Sequence, residues 1–290
     1  RSTTVTGVQT CALPIWAASG DEFWIAKGVY RPVVPVSAAA VMAAEQGKSF
    51  TLKDGVALYG GFVGSETARE QRNPDKNCVV LTGDLGRDDT TDAAGITLSA
   101  DVIQGKNSKN VLKGTNVKGV RLDGLIVSGG DQAIGAGLSL SKSDVVIQNV
   151  LFQGNRASTF GGGINAVASS VDIRESRFLG NRGGPNSHGG AVNSVQSNLR
   201  LVDCRFEGNA TGTDKVGNGG AVQFSDKKGG GRTLFVEGCR FGNNTAGAGG
   251  GGLYVQNADA DVTVRGTVFE ANRTTHNGGA AQLPDRKSVV

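Results

Sequence analysis

The sequence predicts an all-β chain wound as a parallel β-helix, a solenoid of stacked three-stranded coils. Three observations predict it: an eleven-residue phrase written five times, a glycine-pair motif alternating with it in fixed order, and the scarcity of amphipathic helical segments in a chain with 46 glycines among 290 residues.

The phrase reads VVIQNVLFQGN ending at Asn155, VDIRESRFLGN at Asn181, LRLVDCRFEGN at Asn209, LFVEGCRFGNN at Asn244 and VTVRGTVFEAN at Asn272. Aligned on Phe152, Phe178, Phe206, Phe241 and Phe269, the copies agree position by position. Seven residues earlier stand Val145, Val171, Leu199, Leu234 and Val262, and five earlier Ile147, Ile173, Leu201, Val236 and Val264, which is the period-two pattern of a strand with one apolar face. Three residues before the phenylalanine, Asn149, Glu175, Asp203, Gly238 and Gly266 are mostly types that tolerate a left-handed backbone, and the apolar parity shifts there by one. Each copy is therefore two short strands meeting at a corner.

The second motif is GGGI at Gly161, GGAV at Gly189 and Gly219, GGGL at Gly250 and GGAA at Gly278, each first glycine standing 9, 11, 13, 9 and 9 residues after its phenylalanine. Successive pairs are 28, 30, 31 and 28 residues apart, the interval of a solenoid repeat. A weaker sixth copy precedes them, with Val120, Leu122, Gly124, Leu125 and Val127 in register and GAGL at Gly135 to Leu138. Such a coil cannot bury its inner face alone, so coils stack and like side chains meet about 4.8 Å apart. The phenylalanines are expected to form an internal ladder, and Asn155, Asn181, Asn209, Asn244 and Asn272 a second, amide ladder.

Ahead of the repeats, GDEFWIAKGVYRP (20–32) and FTLKDGVALYGGFVGSE (50–66) alternate apolar and polar residues and break at glycine, so the coil is expected to begin near residue 20 with irregular rungs. The best helical segment, VSAAAVMAAEQGK at 36–48, reads as an excursion from an early coil. Residues 1–16 and 285–290 share none of the pattern. They resemble translated sequencing adapter and are expected to be a non-native leader and tail, leaving irregular rungs over 17–119, regular repeats over 120–284, and a native chain longer at both ends. A signal peptide is a poor alternative for the leader, since Pro14 breaks its apolar run.

Setting aside Arg1, Arg286, Lys287 and Asp285 brings the net charge from +4 to +2, and no basic stripe interleaves with aromatics, which argues against nucleic acid or an anionic membrane as partner. Cys204 and Cys239 fill one ladder position on successive rungs, within disulfide reach, though two reduced cysteines packed as small apolar residues are favoured.

Alternating FxxN and GGA[ILV] is the repeat grammar of the polymorphic outer membrane proteins, which the chain resembles from about 120 to 283. The opening strands, 20 to 84, are similar to secreted bacterial parallel β-helix proteins of the pectate-lyase type. With the parallel-crossover rule the resemblance implies a right-handed coil, about six regular rungs plus the irregular ones, truncated at both ends. It also implies an extracellular or outer-surface bacterial location and an adhesin-like or carbohydrate-binding role. The rival reading it brings is polysaccharide cleavage, by a calcium-dependent lyase or a glycoside hydrolase.

After each glycine pair, Ile164, Val192, Val222, Leu253 and Ala281 point inward, so Asn165, Asn193, Gln223, Tyr254 and Gln282 are expected outside, lacking the carboxylates and arginine that lysis requires and forming either an amide ladder suited to a glycan or a surface protein or simply polar residues that solvate a flat sheet. No catalytic residue is assigned. The loop DLGRDDTTD holds Asp84, Asp88, Asp89 and Asp92, weak calcium candidates that match no calcium-loop spacing; no other cofactor is expected. His188 and His276 read as solvated corners, and Asp214, Asp226, Asp259 and Asp261 as scattered loop residues. Exposed end rungs predict self-association.

Overall fold

A computed structural model describes residues 2–5, 17–32, 43–212, 216–256, 259–283 and 288–289. The chain winds through three long parallel sheets, each running the length of the solenoid. The first sheet has ten strands, from Ser2–Val5 to Ser288–Val289, and holds the valine and leucine positions of the repeat. The second has eight, from Gly28–Tyr30 to Val268–Glu270, and holds the phenylalanines; the third, also eight, runs from Phe50–Thr51 to Ala281–Gln282 and begins after each glycine pair. The solenoid expectation therefore holds, with about six regular turns following the irregular ones.

Register follows the sequence alignment. Val145, Val171, Leu199, Leu234 and Val262 are paired in succession in the first sheet, and Phe152, Phe178, Phe206, Phe241 and Phe269 in the second. The weak sixth copy joins them, Val120 opposite Val145 and Val127 opposite Phe152. The corner three residues before each phenylalanine is left-handed, with φ of 49° at Asn149, 49° at Glu175, 51° at Asp203, 63° at Gly238 and 56° at Gly266. At the glycine pairs the second residue is fixed by space: a Cβ on Gly190 would lie 2.2 Å from the carbonyl oxygen of Gly220, and one on Gly220 2.3 Å from that of Gly251. The rungs meet there backbone to backbone, so no larger residue fits.

The main core cluster runs from Phe23 to Val264, with two smaller clusters around Trp24, Tyr59 and Phe62 and around Val80, Ile96 and Leu151. Consecutive phenylalanine rings stack at centroid separations of 5.0, 4.7, 4.6 and 4.8 Å with interplanar angles below 10°. The four inner ones are fully buried, each contributing roughly 1.5–3 kcal/mol of apolar burial. The asparagine ladder forms as expected and does more than pair with itself. Each inner side-chain carbonyl accepts both the backbone N–H and the amide of the preceding rung, while each amide also donates to a carbonyl of that preceding rung: Asn209 Oδ1 takes Asn181 N and Nδ2 at 3.0 Å each, and Asn209 Nδ2 donates to Phe178 O at 2.8 Å.

In the irregular rungs, Glu22–Ala26 pairs with Ala57–Phe62, which pairs with Val120–Asp123. The expected helical excursion is described only at its end, as one turn at Ala43–Gln46; residues 33–42 lie outside the described residues. Two terminal segments do pair with the solenoid: Ser2–Val5 lies parallel to Glu22–Ile25, and Ser288–Val289 to Thr263–Val264. Among the described residues no helix is long and apolar enough to cross a membrane.

Candidate functional site

The predicted outer amide ladder is not a surface. Asn165, Asn193 and Gln223 are buried, at 4, 1 and 3% exposure, and only Tyr254 and Gln282 are half-buried. The side chains do point away from the core, as alternation requires, but the corner leading into the glycine pair folds back over them. A Cβ on Gly135 would lie 3.0 Å from Asn165 Cβ, and one on Gly249 3.0 Å from Tyr254 Cε2, which shows how close that backbone comes. Beneath this cover Asn193 Nδ2 donates to Asn165 Oδ1 at 2.7 Å. That bond braces the third sheet, Gln223 Oε1 lies buried without a hydrogen-bond partner, and the expected contact face is corrected accordingly.

The acidic loop gathers Asp84, Asp88 and Asp89, whose carboxylates lie within 4.8 Å of one another; Asp92 stands apart and caps its own turn by accepting Ala94 N and Ile96 N. Burial pushes the Asp84 carboxyl up from its ordinary value and the Asp89 carboxyl up to about 6. The oxygens of Asp84 and Asp89 are largely claimed, whereas Asp88 Oδ1 is buried with no hydrogen-bond partner. Asp84 Oδ1 accepts Asp88 N, and Arg31 Nη2 lies 3.8 Å from Asp84 Oδ2. Asp89 accepts Gln104 N at 2.8 Å, Asn107 Nδ2 at 2.9 Å and Thr97 Oγ1 at 3.0 Å. On Asp84 and Asp89 an arginine and four protein donors make a loop clamp rather than a calcium cage, and Asp88 Oδ1 is the one buried oxygen of the cluster with no hydrogen-bond partner.

His188 stacks on Phe160 at 5.7 Å and accepts Asn218 N–H at 3.3 Å through Nδ1, and burial pulls its pKa down. His276 Nδ1 lies 2.8 Å from the Thr275 hydroxyl. Cys204 and Cys239 are free, buried thiols. They occupy a corner ladder in which the neighbouring rungs use hydroxyls: Val150 N donates to Ser176 Oγ, Cys204 N to Cys239 Sγ and Cys239 N to Thr267 Oγ1. Asp214 lies outside the described residues. Asp226 accepts Lys227 N and Arg232 N, closing its loop, while Asp259 accepts Gly229 N.

The exposed feature that the motif reading passed over is the outer face of the first sheet, which carries two depressions. One, of about 520 Å³, surrounds Tyr59, with the guanidinium carbons of Arg69, Arg72 and Arg121 at 4.9, 5.2 and 5.9 Å from its ring centroid. Its arginines are committed: Arg72 and Arg121 share the buried Asp123 at 2.6 and 2.9 Å, and Arg69 holds Glu22 at 3.0 Å and the Tyr59 hydroxyl at 3.2 Å. They tie the excursion after Phe62 onto the sheet. The other, of about 480 Å³, is centred on Phe235, with Arg200 and Arg265 over its ring at 4.7 and 5.1 Å. Sequence did hold a signal for it, because Val146, Asp172, Arg200, Phe235 and Thr263 all stand six residues before their phenylalanines and so share one outward column.

With this geometry in hand, comparison with known proteins gives one match. The Chlamydia polymorphic membrane protein repeat model fits residues 149–167, which run from the left-handed corner at Asn149 through FxxN and GGGI to the end of the strand Ile164–Val167. No curated protein and no solved structure shows significant similarity.

Proposed function

We propose that this chain is a module of a surface-displayed, outer-membrane-associated bacterial protein that binds a glycan or a surface protein and does not catalyse. The repeat match supports the location, since the family it belongs to is named for its membrane proteins. The observation that carries the binding reading is the outer face of the first sheet: a rigid, ladder-fixed surface with two open depressions furnished by aromatic rings and guanidinium groups. Such a surface recognises a partner without needing a reactive group.

A second reading, lyase chemistry, draws on the Asp84, Asp88 and Asp89 cluster. Elimination from a uronate needs a base and a free cation site; the hydrogen bonds and arginine already on Asp84 and Asp89 oppose both, which leaves Asp88 as the carboxylate this reading would depend on. The test is an ultraviolet assay for unsaturated product from polygalacturonate with calcium, run beside a glycan array. Array binding with no product is expected. Product formation that is lost in Asp88→Asn would overturn the reading.

A further inference from the structure

We propose that Asn277 is a site of spontaneous deamidation, in which the Gly278 nitrogen displaces the side-chain amide and water completes the exchange, while Asn218, in the same dipeptide two rungs away, is protected by the stack. The site lies at the corner that leads into the third sheet and is independent of the binding surface.

Asn–Gly occurs twice in the sequence, at 218–219 and 277–278, and both copies read NGGA. Glycine is the successor that most favours the reaction, because no Cβ shields its nitrogen from the asparagine side chain. The two copies stand in one corner column, Asn218 pairing with Gly249 and Gly249 with Asn277. Their glycines share the left-handed backbone, with φ of 65° at Gly219 and 62° at Gly278. Local sequence and conformation therefore match, and what differs is the packing.

At the inner copy the peptide is held from both sides. Gly219 N–H donates to Gly249 O at 2.9 Å, and the carbonyls of Asn218 and Gly219 accept Gly189 N and Gly190 N at 2.9 and 3.1 Å. Gly219 is buried and Asn218 half-buried. For this nitrogen to attack, its donation must first break inside the stack. At the outer copy the carbonyls still accept from the preceding rung, Gly250 N and Gly251 N both at 3.3 Å, but Gly278 N–H donates to nothing among the described residues. Asn277 and Gly278 are both exposed. The Gly278 nitrogen is open to solvent base and to an approach by Asn277 Cγ.

The step balances without oxidant or reductant. Gly278 N gives its proton to solvent base and bonds to Asn277 Cγ, Nδ2 leaves with a proton as ammonia, and a cyclic imide closes. Water then opens the ring: attack at Cγ gives aspartate, and attack at the main-chain carbonyl gives isoaspartate, whose extra backbone carbon lengthens the chain. Either product adds a negative charge. Isoaspartate does more, since a Cβ on Gly251 would already lie 2.4 Å from Gly279 O. That contact has no slack for a longer backbone, so the pairing of Ala281–Gln282 with Leu253–Tyr254 is displaced.

The experiment incubates the full chain at mildly alkaline pH, folded and in urea. Tryptic peptides 216–227 and 274–286 are then followed by mass spectrometry, with enzymatic methylation marking isoaspartate. In the folded protein Asn277 should convert at least about tenfold faster than Asn218, and in urea, where the stack is lost, the two should convert at similar rates. Asn277→Gln, whose longer side chain closes the ring poorly, should abolish methylation of peptide 274–286 and leave circular dichroism unchanged. Equal rates in the folded chain, a difference that persists undiminished in urea, or methylation that survives in Asn277→Gln would overturn the proposal. So would an unreacted Asn277 in the folded chain under conditions where a free peptide of the same sequence converts.

Discussion

Replacing Asn209 by Asp tests the amide ladder, because the two side chains have the same shape and differ in one donor group. Asn209 is fully buried. Its Oδ1 accepts Asn181 N and Nδ2, and its Nδ2 donates to Phe178 O at 2.8 Å and to Asn244 Oδ1 at 3.0 Å. A carboxylate keeps the two acceptances and turns both donations into contacts between oxygen lone pairs. Two buried hydrogen bonds are lost and an uncompensated charge is placed beside two acceptors, a loss of about 3–5 kcal/mol at neutral pH. Asn209→Ala, which orphans Asn181 N and Phe178 O without adding charge, should cost about 2–4 kcal/mol. The sign of the pH dependence separates the two. The carboxyl of Asn209→Asp would have its folded-state pKa raised, so its penalty is full at high pH and shrinks on acidification, as the protonated acid regains a donor. The alanine variant should show no such recovery. Urea titration followed by circular dichroism at several pH values gives both quantities, and Asn209→Asp as stable as wild type at pH 8 would refute the hydrogen-bond assignment along the whole ladder.

Phe206→Ala should lose about 3–5 kcal/mol, since the rings at 4.7 and 4.6 Å on either side are held by their own rungs and cannot close the gap; an equal loss in the exposed-site variant Arg205→Ala by the same titration would contradict the stacking order. Stability should also respond to pH between 7 and 4 through two buried groups of opposite sign. The Asp89 carboxyl, raised to about 6, binds its proton in the fold before the unfolded chain does, so its contribution grows as pH falls through 6 toward 4, by at most about 3 kcal/mol. His188, whose pKa burial lowers, stays neutral in the fold while the unfolded chain charges, so its contribution falls below about pH 6.5. Asp89→Asn should remove the first trend and His188→Gln the second, and unchanged pH profiles in thermal melts of both would show that neither group is desolvated.

The ladders were legible because like residues recur at fixed offsets, and stacking in register forces Phe152 onto Phe178 and Asn155 onto Asn181. The corners were legible too, as Asn149 and Asp203 adopt the left-handed backbone their types favour. Burial of Asn165, Asn193 and Gln223 was not, since alternation says which way a side chain points and nothing about what lies above it; the cover is a corner of variable sequence. The Asp89 clamp was hidden for a related reason: its partners, Thr97, Gln104 and Asn107, come from the loop that follows, and no repeat aligns them. Arg200 and Phe235 lie 35 residues apart and share a column only once the register is fixed, so the information was present but reading it required applying the alignment to the outward positions as well as the inward ones.

Each asparagine presents a carbonyl to one neighbour and an amide to the other, and every inner rung offers the same two contacts. The upper surface of any coil is therefore a valid seat for a copy of itself. Duplicating one repeat, or deleting one, leaves no mismatched layer, so unequal recombination can lengthen or shorten such a gene in single-rung steps without passing through a misfolded intermediate. The spacings of 28, 30, 31 and 28 residues between glycine pairs show where the remaining freedom goes: into the corners, where insertions alter the outer surface and leave the stack untouched. Heredity can then vary how far the rod reaches and what its flanks display as two separate traits.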